Sequence, residues 1–430
     1  MTRKKTLAVA IALTFAAPGA AWATNGYFAH GYGTTSKALA GAGVAYSQDA
    51  LAAATNPAGM VTIGGRTDAS LAVFSPRREY TVGNPQGAGS PNVPLQPGTV
   101  ESDSDWHLIP AFGYNHMLDE NNAIGISVYG NGGMNTDYPA FENDICAGFG
   151  GGSGSFCGGE TGVDLMQLFI APTYARKVND NIAVGISPIL AYQRFEAKGL
   201  GAFGQMGFSS DPNNLTNRGT DDSFGYGAKV GIQGEAMPGL RLGASYQTKM
   251  RMDEFDKYSG LFAEQGGFDI PATATVGLAF DIAPQGKQGT LLFDVQHIWY
   301  SDINSIANPF ASPGQLGDDN GPGFGWRDMT IYKLGYQWQH NQDWTWRVGY
   351  SYGEQPIRSS EVLFNILAPG IMEHHITGGF TRRMGNNQEL NFAAMYAPKR
   401  TVSGTNPLDG QTIELQMRQF EIELGYAWRF

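Results

Sequence analysis

The sequence predicts an all-β fold: a transmembrane antiparallel β-barrel of about 14 strands with an N-terminal small-residue hatch plugging the lumen. Three observations predict it. The chain opens with an export leader, yet no later stretch approaches the ~18 consecutive apolar residues of a membrane-spanning helix. The closing stretch alternates strictly, with Phe420, Ile422, Leu424, Tyr426, Trp428 and Phe430 on one face and Glu421, Glu423, Gly425, Ala427 and Arg429 on the other. Similar runs recur along the whole chain, joined alternately by tight turns and long connections, the rhythm of outer-membrane barrels.

The leader comes first. Thr2-Arg3-Lys4-Lys5 is a basic n-region, Leu7 to Phe15 an apolar h-region, and Ala21-Trp22-Ala23 a small-x-small cleavage site. Residues 1–23 are therefore expected to be removed as a signal peptide. An anchoring helix is the other reading, but the apolar run is short and Pro18-Gly19 breaks it. Without Arg3, Lys4 and Lys5 the chain keeps 25 basic against 39 acidic residues, a net charge of −14. Such an acidic chain is no nucleic-acid partner, because phosphate binding rests on a basic patch. Charged residues make up 16% of the sequence, below the ~25% of soluble domains, while aromatics reach 12% and glycines number 59. Only helices and closed barrels satisfy backbone groups in lipid, so an exported chain of this composition is destined for the bacterial outer membrane.

Residues 24–64 follow, rich in small side chains (Gly41, Gly43, Ala52, Ala53, Ala54) and ending in Asn56-Pro57-Ala58-Gly59. The segment is too apolar for a solvated tail and too small-sided to build its own core, so its walls must come from elsewhere. Residues 65–430 read as those walls. Alternating runs occupy roughly 66–80, 104–118, 121–130, 162–178, 181–197, 221–236, 239–253, 268–283, 287–302, 371–385 and 387–401, besides those around 332–338, 344–352 and 420–430. Tight turns such as Val178-Asn179-Asp180-Asn181 and Gly385-Asn386-Asn387 carry turn chemistry. The long connections lie near 81–103, 131–161, 198–220, 254–267, 303–325, 357–370 and 402–412. Trp338, Trp344 and Trp346 flank one short turn, as an interfacial aromatic girdle would.

Cys146 and Cys157 lie close together in a Gly-rich stretch with no nearby His or further Cys. In an oxidising compartment they are expected to form a loop-pinning disulfide rather than a metal site. Two long loops are oily. One carries Leu200, Phe203, Met206 and Phe208; the other carries Phe255, Tyr258, Leu261 and Phe262, spaced to suit one face of a short helix. Apolar loops facing water either close on one another as a lid or receive something greasy. Leu200, Phe203, Phe208, Phe255, Leu261 and Phe262 are accordingly expected to line a ligand groove.

The leader, the small-residue segment ending in Asn56-Pro57-Ala58, about fourteen strands and the terminal aromatic together resemble the FadL family of outer-membrane transporters for long-chain fatty acids and hydrocarbons. Asn365-Ile366-Leu367-Ala368-Pro369 also looks like family sequence. The resemblance implies passive uptake by a monomer without a cofactor: capture in an external groove, transfer to an apolar pocket, and sideways release past a hatch. Its partners would be a long-chain fatty acid or similar hydrophobic molecule, together with outer-membrane lipid and lipopolysaccharide. It also implies a lateral gate at a kink in the third strand, for which Gly130, Gly132 and Gly133 are the matching residues; alternatively those glycines begin the disulfide-pinned loop. Asn56, Pro57 and Ala58 would be the moving part of the hatch, or only a helix stop. A carboxylate cargo would need a luminal cation, and Lys229, Lys333 and Arg347 fall on the inward phase of their runs. If Gly335 faces Arg347 across the hairpin, Lys333 and Arg347 are diagonal neighbours that could clamp an acid head group or pair with luminal carboxylates.

Two other classes compete. A general porin would conduct ions through an open lumen and needs no plug. An esterase would need a nucleophile, yet no Gly-x-Ser-x-Gly elbow is present. An aromatic or alkane hydrocarbon cargo on the same fold would need no luminal cation.

Overall fold

The computed structural model describes residues 24–84, 95–282 and 288–430, so the expected leader (1–23) lies outside the described residues. Its framework is fourteen long strands: β1 (Arg66–Val82), β2 (His107–Met117), β3 (Asn122–Tyr138), β4 (Thr161–Lys177), β5 (Ile182–Lys198), β6 (Asp221–Met237) and β7 (Leu240–Gln247). The second half is β8 (Thr273–Ile282), β9 (Gly289–Ile298), β10 (Met329–Gln339), β11 (Trp344–Gly353), β12 (His374–Met384), β13 (Gln388–Thr405) and β14 (Thr412–Arg429). Each pairs antiparallel with its neighbour in sequence. β14 then returns to β1, from Arg66 opposite Arg429 to Val82 opposite Ile413, which closes the cylinder. Two short strands, Gly98–Glu101 and Arg251–Met252, extend β1 and β6.

Side-chain alternation sets the two faces. Leu424 is 56% exposed while Glu421 and Glu423 are each 2% exposed, so apolar residues point to lipid and polar ones into the lumen. Trp338 stands opposite Trp346 next to a short turn. At the long-loop end, Cys146 and Cys157 are joined by a disulfide.

β3 departs from the expected run. It passes through Gly130–Gly133 to Tyr138, so those glycines belong to the strand and not to the loop. The register against β4 shifts between Gly130 and Gly132. On its other side β3 pairs with β2 only from Ala123 opposite Met117 to Val128 opposite Phe112. Beyond that point β2 stays with β1 and β3 stays with β4. The wall therefore has an unladdered window between 107–111 and 129–135. Part of its missing hydrogen bonding is supplied from inside: Gly133 N–H donates to the Tyr27 carbonyl (2.9 Å) and Ala29 N–H to the Asn131 carbonyl (3.0 Å).

Candidate functional site

Residues 24–64 lie against the inward faces of the strands, and most of them are buried. Their fit depends on what the wall lacks. A Cβ added at Gly243 would sit 2.2 Å from the Val44 carbonyl oxygen, at Gly231 1.9 Å from Asn56 Oδ1, and at Gly185 2.4 Å from the Pro57 carbonyl carbon. These inward glycines let the segment's backbone touch the wall, a closeness no other residue permits. Gly243→Val forces a clash with backbone that no rotamer relieves, costing about 1–3 kcal/mol of docking. The expected result is faster limited proteolysis within 24–64 on an intact barrel.

Asn56 joins three parts at once. Its Oδ1 accepts from Ala58 N–H (3.0 Å), capping the turn Pro57–Thr62, and its Nδ2 donates to the carbonyls of Val44 (2.6 Å) and Ile232 (3.0 Å). Pro57 thus starts a turn as well as ending the preceding one, Ala52–Ala54. Asp294 on β9 accepts from the Gly43 and Val44 N–H groups (2.8 and 2.9 Å). Lys37 bridges Glu421 (2.9 Å) and Glu423 (2.7 Å) on β14, and Thr34 Oγ1 donates to Glu423 (2.7 Å).

Above this segment the external loops fold inward. Leu200, Phe203, Leu261 and Phe262 meet Phe324 and Phe364 around an apolar cavity of about 30 Å³. Phe208 packs on Phe203 behind it (6.0 Å between centroids), and Phe255 on Phe195 and Phe262. The second loop is not one amphipathic helix: a 3-10 turn (Asp256–Tyr258) stands in its place, followed by a distorted turn (Ala263–Gly266) in which Glu264 and Gln265 are left-handed (φ 58° and 53°). Its aromatics are buried all the same. From the cavity a chain of rings descends, Phe262 to Phe268 (4.7 Å), Phe268 to Tyr27 (6.1 Å), then Tyr27 to Phe28 (5.1 Å) beside the window. The external segment 365–367 braces the same strand: Tyr138 Oη donates to the Ile366 carbonyl and Thr136 Oγ1 to that of Leu367 (both 2.9 Å).

Phe28 and Tyr32 also border a second, polar cavity of about 20 Å³ that Lys229, Lys333 and Gln247 line. That volume suits a water. Lys229 donates to the Ala54 carbonyl, and Lys333 approaches the His30 and Gly41 carbonyls (3.3 and 3.5 Å). Neither ammonium has an ion-pair partner among the described residues, and the Gln247 Nε2, on a residue 2% exposed, donates to nothing described. Arg347 does not join them. The hairpin ladder closes at Gln339 opposite Thr345, around a loop two residues longer than a Gly335–Arg347 pairing requires, so Gln337 rather than Gly335 faces Arg347. Lys333 stands opposite Ser351, and Arg347 binds Gln48 Oε1 (2.8 Å) and Thr381 Oγ1 (2.7 Å). The expected clamp of Lys333 with Arg347 is therefore corrected to a cavity shared by Lys333 and Lys229, whose strands are far apart in sequence.

Comparison with known proteins gives concordant results. A family profile described as "Outer membrane protein transport protein (OMPP1/FadL/TodX)" matches residues 10–420. The long-chain fatty acid transport protein of Escherichia coli O6:H1 is 23% identical over 99% of this chain and 96% of its own length. The Pseudomonas putida toluene transporter TodX superposes with a TM-score of 0.69 at 18% identity, over 93% of this chain and 99% of its own. A Pseudomonas aeruginosa FadL homologue does so with a TM-score of 0.68 at 16% identity, over 94% and 100%.

Proposed function

This chain belongs to the OMPP1/FadL/TodX family of outer-membrane transport proteins, channels rather than enzymes, and on that premise we propose that it takes up long-chain fatty acids by passive diffusion. The carrying observation is the two-ended interior. An apolar cavity leads by way of tilted, touching rings to a polar cavity where neither buried lysine has an ion-pair partner among the described residues, Asp294 being only a more distant charged neighbour of Lys333. Buried charges are normally paired, so a carboxylate entering beside Lys229 and Lys333 would supply what the cavity lacks. The alkyl chain would lie along the rings toward the external loops.

Residues 24–64 act as the hatch in this reading, with Asn56-Pro57-Ala58 as the part that moves. The window beside Gly130, Gly132 and Gly133 is the lateral gate. A sideways exit follows from the cost of wetting an alkyl chain, ~0.8 kcal/mol per CH₂. Leaving through the wall delivers the chain to the membrane interior without passing through bulk water.

A neutral aromatic hydrocarbon is the competing cargo, since the apolar cavity and the rings would serve it without any cation. One experiment separates them. A deletion strain is complemented with the wild-type chain or with the Lys229→Met/Lys333→Met variant, then tested for growth on oleate and on toluene. Loss of charge-assisted bonds worth about 1.5–3 kcal/mol should slow oleate uptake roughly ten- to a hundredfold. Equal growth of both strains on oleate, or loss of toluene growth alone, would discard the fatty acid reading.

A further inference from the structure

A larger cavity, of about 590 Å³, lies below the hatch at the short-turn end of the barrel. Five arginines line it, Arg66, Arg241, Arg347, Arg383 and Arg429, against the carboxylates of Asp281 and Glu389. This is a basic vestibule in a chain whose net charge is −11. Most of the arginines are balanced. Glu389 takes Arg66 (3.1 Å) and Arg429 (2.6 Å) with Arg383 at 3.9 Å, Arg66 also holds Asp68 (2.7 Å), and Arg241 pairs with Asp281. Arg347 differs. Among the described residues its guanidinium hydrogen-bonds only neutral oxygens, with Nε (3.2 Å) and Nη2 (2.8 Å) on Gln48 Oε1 and Nη1 on Thr381 Oγ1 (2.7 Å). The nearby Asp49 is engaged by Thr35 Oγ1 and the Leu51 N–H.

We infer that this vestibule is an oxyanion site centred on Arg347, and that an oxyanion entering from the periplasm displaces Gln48 and loosens the hatch. Gln48 belongs to the hatch and Arg347 to β11, so their contact is one of the ties between plug and wall. The amide oxygen occupies two N–H groups of a fork shaped for a carboxylate or a phosphate, whose charged bonds are about twice as strong as neutral ones. An anion that takes the fork leaves Gln48 without this partner. The site is distinct from the cargo's, because the vestibule and the lysine cavity share no lining residue.

The test uses the mature full-length protein in detergent, titrated calorimetrically with inorganic phosphate and with acetate against chloride of equal ionic strength. Saturable binding above the chloride control is expected, weakened about tenfold or more in Arg347→Gln and strengthened severalfold in Gln48→Ala, which frees the fork. Amide exchange across residues 43–51 should quicken on saturation in the wild type and not in Arg347→Gln. Binding of phosphate alone, of acetate alone or of both upholds the site and names its ligand class. No saturable binding, or an affinity unchanged in Gln48→Ala, overturns it even if Arg347→Gln fails to fold.

Discussion

Lys37→Met is expected to release residues 24–64 from the wall while leaving the barrel assembled. Lys37 and its partners are almost wholly buried, with side chains 3% exposed for the lysine and 2% for Glu421 and Glu423. The two glutamates sit two residues apart on β14 and both point inward, so removing the ammonium leaves two like charges facing each other without water. Breaking a buried pair in this way costs about 3–5 kcal/mol, mostly as the penalty of the stranded charge. The readout is amide exchange over 24–64, with barrel integrity followed by heat-modifiable gel mobility. Adding Glu421→Gln and Glu423→Gln should restore slow exchange, because the repulsion is gone even though the bridge is not rebuilt. Unchanged exchange in Lys37→Met would show that the hatch is held by shape alone. Burial pulls the Lys37 pKa down, but the two carboxylates outweigh it and hold the ammonium above its ordinary range. A raised pKa places the latch's stabilisation below lysine's ordinary value of about 10.4, and it is lost as the pH climbs through the raised value. The latch should therefore be insensitive to the lysine's titration throughout the neutral range.

The barrel was legible because period-two alternation is a local signal, and β14 spells it out residue by residue. The register shift between Gly130 and Gly132 falls where glycines inside an alternating run suggest a bend, although the same glycines could as well begin a loop. What was not legible depends on partners distant in sequence. Nothing near Gly243 says that Val44 will press against it, and nothing near Lys37 names Glu421. Strand register was the weakest inference. A loop two residues longer at 340–344 moves Arg347 away from Lys333, and Lys333 shares its cavity instead with Lys229, a pair on β6 and β10. The apolar character of the two loops is plain in their residues, but where the 255–262 spacing suggests a helix the chain makes only the short turn Asp256–Tyr258. The vestibule has no local signature in the sequence, because its five arginines come from five strands.

Removing Thr24 to Met60 from the mature chain should turn an electrically silent protein into an ion-conducting pore. Barrels of eight strands fill themselves with side chains, whereas those of sixteen or more leave an aqueous channel. Fourteen strands leave an interior that other parts of the chain must fill. Residues 24–64 contact Glu421, Glu423, Asp294, Lys333 and Arg347. Once that segment is gone these groups regain water, and a lumen lined by charges of both signs carries ions. The external loops cannot compensate, since Tyr27 and Phe28 are the floor on which Tyr300, Trp326 and Phe268 rest. Planar-bilayer recordings of the truncated protein should show stepwise conductance with no such steps from the parent, and labelled oleate should no longer be retained in the lumen. If the truncated barrel stays silent and still takes up oleate at the parental rate, the inner face must be closed by the loops, and residues 24–60 would be only a strut.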